Sequence, residues 1–589
     1  MASKSSRKEP AKKPAAKKNS TETKKVQPKA EARGKTAGKS AKTVKAEPVQ
    51  AKAKAAAGKA AKKEAAKGAK KTVKPAKEAA PKAAKAPKAP KTAVKAKAAP
   101  AQKTVRASHD AAAPQAFIDS MMKGWKIRRP ARPRKVMGLE RFQERRARLS
   151  KMFKGDTLII PSGQPKVRSN DCDYIFRPGS DFFYLTGNKE PGCVLALVPK
   201  KRGSGHDSIL FVEPAVDRST PDFFLNRARG ALWVGEKLGL EGSLIRYGVT
   251  STRSIDELGA FLKTLARGTV RIRRGLDDAC DSSMKAHVRD AELATALAEM
   301  RMIKDKGEID SLKKAIASTK LALEDVINTM KTAGSERELE AAFDCRARIE
   351  GSGVGFATIA AAGSHACTLH WTRNDGEVKE GDLLLMDVGV EGHDLYSADI
   401  SRTFPVAGAF TDEQREIYDL VTRAQDAAIR AVEPGADFLA PHRAGTKVLT
   451  QGLIDLGIIQ EPLEKALDEQ KQTYRRYTLH SISHLLGLDV HDSAAARSEV
   501  YRQGKLRPGM VLTIEPGLYF QPDDLTVPKR YRGLGIRVEE DVLVTEKGRQ
   551  VLSSSIPRKS EDVEQWIHDL WGEEDFEELE EEMDWDEEE

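Results

Sequence analysis

Apolar and polar positions follow two different periods along this chain, and the change from one to the other divides it. GLERFQERRARLSKMF (138–153) predicts a surface helix, and GDTLIIPSG (155–163) a strand running into a turn. Three apolar runs follow, SDFFYLTG (180–187), GCVLALVP (192–199) and DSILFVEP (207–214), separated by Gly, Pro and charge. IRYGVTSTRSIDELGAFLKTLARG then predicts a strand, a helix capped by Ser254 and a stop at Gly268. From about Ala286 to Lys331 the period becomes helical. Ile309, Leu312, Ile316, Thr319, Leu323 and Ile327 form one stripe opposite the charges, and two helices are expected to join around Lys306 and Gly307. SERELEAAFDCRARIEGS opens with a capping signal, Ser335 with Glu338, and Phe356 to Phe410 alternates short strands and turns. TDEQREIYDLVTRAQDAAIRAV and PHRAGTKVLTQGLIDLG return to helix, and a histidine segment and two strands complete the pattern. Helix pair, strands, helix pair, strands is the order of a duplicated α+β unit.

The expected organisation is therefore an α/β domain over 134–285 and an α+β domain over 286–557, with flanking segments that cannot build a core. At 589 residues the chain is too long for one compact core. Residues 1–100 hold 31 Lys and Arg against 6 Glu, and the last 17 residues, from Glu573, hold 13 acids and no base. The overall charge of +14 thus leaves only +2 for residues 101–572. Residues 1–107 read as a disordered Lys/Ala/Pro-rich segment, either a soluble appendage or one that contacts DNA or RNA phosphates without reading sequence. A linker is expected over 108–133, helix-like at 116–125 and then RRPARPR. After Pro557 the chain is expected to leave the fold as an acidic tail over 558–589 in which SEDVEQWIHDLW forms a short amphipathic helix. Five scattered cysteines, no apolar leader and no run of about 18 apolar residues predict a reduced cytoplasmic protein without a membrane segment. Gly179, Gly187 and Gly192 are too far apart for a phosphate-cradling loop.

Candidate chemistry gathers between Asp387 and Glu539. Asp387 lies in LLLMDVG, Asp399 in LYSADISRTFPV, His484 in HSISHLLGLDVHD, Glu515 in VLTIEPGLYF and Glu539 in GIRVEEDVLVT. Each charged or imidazole group sits in or beside a run that reads as buried strand, where it is costly unless it pairs or binds metal. Four carboxylates and one imidazole suit two hard or borderline divalent cations. A turn at Gly392–His393–Asp394 would bring Asp387 and Asp399 together across a hairpin. Arg537 and Glu539 are two apart and share a strand face; Glu540 is expected to point away into solvent, and Asp541 to support the Glu539 side. His480 and His491 read as substrate-facing or supporting groups, and His370 in TLHWTRNDG either caps a sheet edge or approaches the metals from one wall. Such a site activates a shared water as hydroxide. Glu515 is then the candidate proton acceptor, and His491 with His370 would stabilise an oxyanion. No nucleophile elbow is present.

FFYLTGNKEPG, TLHWTRNDG, GDLLLMDVG, YSADISRTFPVAGAFT, HSISHLLGLDVHD, TIEPGLY and GIRVEEDVLVT occur in an order that resembles the Xaa-Pro aminopeptidases (aminopeptidase P), relatives of prolidase and methionine aminopeptidase. The resemblance spans roughly 134–555. It implies a creatinase-like α/β N-terminal domain and a pita-bread catalytic domain with a curved antiparallel sheet. It also implies that Asp387 binds one ion, Asp399 and Glu539 bridge, His484 and Glu515 bind the other, and His370, His480, His491 and Arg537 line the substrate site. The implied cofactors are two divalent cations, most commonly Mn2+, with Co2+ or Zn2+ also accepted. The implied substrates are peptides with proline second, and homodimers or homotetramers are common. Asp387 and Asp399 stand one residue further apart than is usual in the family, and Ser481 replaces a common glycine. A prolidase-type dipeptidase remains the nearest alternative, and a catalytically silent nucleic-acid or protein-binding module the alternative of a different class.

Overall fold

The computed structural model describes residues 113–126, 132–265 and 268–572. The basic segment expected over 1–107, part of the expected linker and the acidic run from Glu573 lie outside these residues.

Within the expected linker, α1 (Gln115–Met121) is a short helix, and Phe117 and Trp125 meet the rings of Phe224 and Phe223 edge-on. The N-terminal domain is built on a mixed five-stranded sheet. Helix α2 (Leu139–Met152) buries Leu139, Phe142 and Leu149 on one face, as its spacing predicts. Strand β1 (Thr157–Pro161) is buried along its whole length because the sheet is covered on both faces. SDFFYLTG is a helix, α3 (Ser180–Thr186), closed by Gly187 at φ 67°, whose N–H returns to the Phe183 carbonyl. The other two apolar runs are strands, β2 (Val194–Pro199) and β3 (His206–Val212). IRYGVTSTRS departs from expectation: Tyr247 ends helix α4 (Gly239–Tyr247), Gly248 turns left-handed, and only β4 (Ser251–Ser254) is strand. Ser254 does form its capping box with Glu257. With β5 (Val270–Ile272) the sheet order is β4-β3-β2-β1-β5, its two outer pairs parallel and the inner pairs antiparallel.

Helices α5 (Val288–Arg301) and α6 (Lys306–Met330) join at 302–305, slightly before the expected point, because Asp305 caps α6 and pairs reciprocally with Glu308. Of the predicted stripe, Leu312, Ile316, Thr319, Leu323 and Ile327 are fully buried. With α7 (Glu336–Glu350), α6 backs an antiparallel sheet of β6 (Ile359–Ala362), β7 (Leu383–Val388) and β8 (Ile400–Pro405), in order β8-β7-β6. The second half repeats the scheme. Helices α8 (Asp412–Arg430) and α9 (Ala440–Asp455) precede β9 (Val511–Ile514), the β10 (Gly517–Tyr519) and β11 (Gly535–Arg537) pair, and β12 (Glu540–Thr545) with β13 (Gly548–Val551). Strand β8 meets the second half directly. Ser401 O accepts from Glu539 N at 3.0 Å, and Thr403 Oγ1 exchanges bonds with the Arg537 backbone.

Two sequence expectations fail at the back of this seam, for one reason. Glu540 does point away from its neighbour Glu539, but it is fully buried and holds the equally buried Arg402 at 2.6 Å. That face is covered because the chain does not leave the fold after Pro557. The carbonyls of Ile556 and Pro557 accept from Arg402, and α10 (Ser560–Trp571) buries Val563, Trp566, Ile567 and Trp571. Trp571 Nε1 donates to the Ile327 carbonyl of α6, so this helix closes the core of the first half. No described helix is long and apolar enough to cross a membrane.

Candidate metal centre and active site

The antiparallel register places Asp387 opposite Ser401 and leaves Asp399 one residue before β8, so the turn between them returns both carboxylates to one side. Gly389 makes this possible: a Cβ there would lie 1.9 Å from the Ala398 carbonyl oxygen. The turn itself is closed by Gly392 N–H to Tyr396 O and Leu395 N–H to Gly392 O, both 2.9 Å. Glu515 follows β9, and Glu539 sits between β11 and β12.

The histidine segment is not the strand its apolar run suggests. It bends alongside β9, with Leu485 facing Leu512 in an isolated bridge, Thr513 N–H bonding the His484 carbonyl at 2.9 Å and Leu486 N–H bonding Val511 O at 3.0 Å. A regular strand presents alternate residues, which would send His480 and His484 to one face and His491 to the other. The irregular path instead stands the rings of His484 and His491 4.4 Å apart, nearly perpendicular.

Asp387, Asp399, Glu515, Glu539, His370, His480, His484, His491 and Arg537 all line one cavity of about 860 Å³. Ligand atoms of Asp399, His484 and Glu539 lie within 4.8 Å of one another. His484 Nε2 is 3.3 Å from both Asp399 Oδ2 and Glu515 Oε1, and His480 Nδ1 is 3.4 Å from Glu515 Oε2. Arg537 Nη2 donates to Asp387 Oδ2 at 2.6 Å and its Nε to Ser401 Oγ, which donates onward to Glu539 Oε2 at 2.9 Å. His370 is exposed at the cavity wall beside Trp371, whose indole N–H is held by the buried Glu336.

The electrostatics show too much acid for the bases present. Burial, reinforced by Asp387 and Glu515, pushes Asp399 up to about 7. Burial and the charges of Asp399, Glu515 and Asp387 hold Glu539 well above the ordinary carboxylate range. Against burial, the His484 hydrogen bond and the nearby His480 and Arg537 bring Glu515 down to about 2. Burial lowers His480 and His491, so both are neutral at pH 7. At this site three buried carboxylate oxygens, Asp387 Oδ1, Glu539 Oε1 and Asp541 Oδ1, have no hydrogen-bond partner among the described residues. Orphaned anionic oxygens around one imidazole are the donor set that hard or borderline divalent cations complete, so the residues fit such ions.

The structure adds residues that sequence reasoning passed over. Tyr519 OH bonds His480 Nε2 at 2.8 Å and Arg537 Nη1 at 2.9 Å, in a space kept open by Gly517, where a Cβ would come within 2.4 Å of that hydroxyl. Ser401 shares the strand parity of Asp399, a period-two signal that was readable. Asp541, which the sequence did single out as support on the Glu539 side, accepts from Asp399 N–H through Oδ2 at 3.3 Å. Gln425 on α8 donates to the carbonyls of Ile514 and Val538, the residues just before Glu515 and Glu539. No periodicity could have announced that.

Comparison with known proteins agrees with this geometry. Residues 310–546 match Metallopeptidase family M24, and residues 142–272 match the Aminopeptidase P N-terminal domain. Xaa-Pro aminopeptidase 1 of Streptomyces coelicolor is 47% identical over 433 residues, covering 73% of this chain and 87% of the relative. The Escherichia coli Xaa-Pro aminopeptidase is 33% identical over 450 residues, covering 72% and 97%. The solved structure of E. coli aminopeptidase P with the inhibitor Pro-Leu superimposes with a TM-score of 0.67 at 31% identity, covering 74% of this chain and all of that one. A zinc-substituted form of that enzyme with product matches equally well. The two-half antiparallel domain is thus the pita-bread fold, preceded by its usual α/β partner. With this fold, these relatives and a cavity on which its buried acids converge, the chain belongs to the Xaa-Pro aminopeptidases of metallopeptidase family M24 and is a metal-dependent peptidase.

Proposed function

We propose that this protein hydrolyses the peptide bond between an N-terminal residue and a following proline, using two manganese ions. The observation that carries this reading is the set of buried carboxylate oxygens without partners around His484. Asp387 would hold one ion, Asp399 and Glu539 both, and His484 with Glu515 the second. When bound, the ions supply the positive charge that polarises the scissile carbonyl and makes water nucleophilic at neutral pH. Glu515 takes the proton that water gives up and returns it to the departing proline nitrogen. His491 and His370, on the cavity wall, donate to the developing oxyanion. The Ser481 carbonyl holds the proton of neutral His480 on Nδ1, which leaves Nε2 to accept from the Tyr519 hydroxyl, and the same hydroxyl accepts from Arg537 Nη1.

Protein stripped of metal should lose Xaa-Pro-Xaa cleavage and recover it with Mn2+, releasing the first residue. Full turnover with no measurable metal would overturn the reading. Cleavage of Xaa-Pro dipeptides alone would move it to a dipeptidase. The protein acts in the cytoplasm as a homodimer or homotetramer, testable by light scattering. Its basic segment 1–107 contacts DNA or RNA nonspecifically, a proposal that rests on the +25 charge of residues 1–100. Deleting that segment should leave peptide turnover unchanged and abolish DNA retention at low salt.

A further inference from the structure

Both loops that carry the site are tied to the N-terminal domain, and one side chain ties them to each other. Arg177 lies in the turn leading into α3, on the N-terminal domain, with its side chain about one-third exposed. Its Nε donates to Glu391 Oε1 at 2.5 Å, inside the turn that joins Asp387 to Asp399. Its Nη2 donates to the Leu488 carbonyl at 2.5 Å, between His484 and His491, and reaches Leu395 O at 3.5 Å. Its Nη1 donates to Ser180 Oγ, which donates in turn to Asp489 Oδ1. The partners are 214 and 311 residues away in sequence, yet only four residues beyond Asp387 and His484 respectively. Besides this guanidinium the loops meet through one described backbone bond, Ser397 N–H to Gly487 O at 3.1 Å, through the 3.3 Å approach of His484 to Asp399, and through non-directional apolar packing of Leu395 and Tyr396 in one cluster with Leu486 and Leu488.

A planar fork with donors fixed in direction sets distance as well as attraction. Glu391 is 7% exposed and burial raises its pKa, so without the guanidinium it would favour a different position or a proton. Either change loosens the aspartate turn against the histidine loop. We propose that Arg177 is a positioning residue: by bridging Glu391 and the Leu488 carbonyl, it sets the spacing between the aspartate pair and His484 with His491. The N-terminal domain thereby controls how well the centre holds its cations and orients its histidines. The inference rests on the function proposed above.

The test compares Arg177→Gln with Arg271→Ala. Arg271 also links the N-terminal domain to α5, through Asp156 and Glu292, and touches neither loop. Supporting groups of metal ligands are worth about 10–100-fold in metal affinity or activity. Calorimetric titration of the stripped full-length protein with Mn2+ should show Arg177→Gln weaker by about that factor, with kcat on an Xaa-Pro-Xaa peptide reduced by a similar factor and KM changed much less. Arg177→Lys should recover part of both, and Arg271→Ala should keep wild-type values. Wild-type cation affinity and kcat in Arg177→Gln would overturn the proposal, as would equal losses in Arg271→Ala. Should Arg177→Gln fail to fold, Glu391→Gln removes the same charge pair from the other side and decides by the same criteria. The Mn2+ titration needs no substrate, so a wild-type protein that binds cations without cleaving Xaa-Pro overturns the function and leaves the brace standing.

Discussion

Glu539 and Glu540 are neighbours in sequence at the start of β12, both buried, and they live in opposite chemical worlds. Glu540 faces the back of the seam, where Arg402 neutralises it and Ser553 and the carbonyls behind complete the network. Glu539 faces the cavity, where one oxygen takes the Ser401 hydroxyl and the other takes nothing. On that side the five acids Asp387, Asp399, Glu515, Glu539 and Asp541 meet one guanidinium, Arg537, which pairs with Asp387, and the imidazoles of His480 and His484 beside Asp399 and Glu515. Burial of a charge is therefore no mark of a site. Surplus of one sign is, because a structural pair is complete within the chain whereas a functional cluster is complete only with something added.

The sharpest way to break this contrast is to remove the two glutamates in turn. Glu539→Ala should abolish peptide turnover: losing several kcal/mol of cation-derived stabilisation corresponds to a rate loss on the order of a thousandfold. It should leave the stripped protein at least as stable in urea, since one repelling charge has gone. Glu540→Ala should do the reverse, lowering stability by about 3–5 kcal/mol by stranding Arg402. Next in size is the response to added metal. At a hundredfold excess over Kd, Mn2+ should stabilise the stripped wild type by about 2.7 kcal/mol. The gain should shrink in Glu539→Ala and persist in a folded Glu540→Gln; equal gains would erase the distinction between the faces. The smallest effect is expected at Tyr519→Phe, which leaves His480 and Arg537 short of a partner. It should cost about tenfold in kcat with unchanged Mn2+ affinity.

What the sequence made legible follows the same division. Asp387, Asp399, Glu515 and Glu539 stood out because a carboxylate in an apolar run contradicts its surroundings locally, and a turn signal brought two of them together. The period-two reading also sent Glu540 to the correct face. It failed on what covers that face, since Arg402 lies 138 positions earlier and α10 arrives only after Pro557. The amphipathic pattern of SEDVEQWIHDLW was readable, but not the surface that receives Trp566 and Trp571. His491 could not be placed by periodicity because its segment follows no regular period. Arg177 looked like any charged residue before a proline, for its partners are defined only by the assembled chain.

The position of α10 has a consequence for biosynthesis. Arg402 takes the Ile556 and Pro557 carbonyls, 154 and 155 positions later, and the Ile327 carbonyl of α6 receives Trp571, 244 positions later, so the first half of the catalytic domain is completed by residues made long after its own. Domains assemble from the N-terminus as they leave the ribosome. The α/β domain can therefore fold early, whereas the seam between the two halves of the catalytic domain gains the cover over Arg402 and Glu540 only once residues 556–571 are in place.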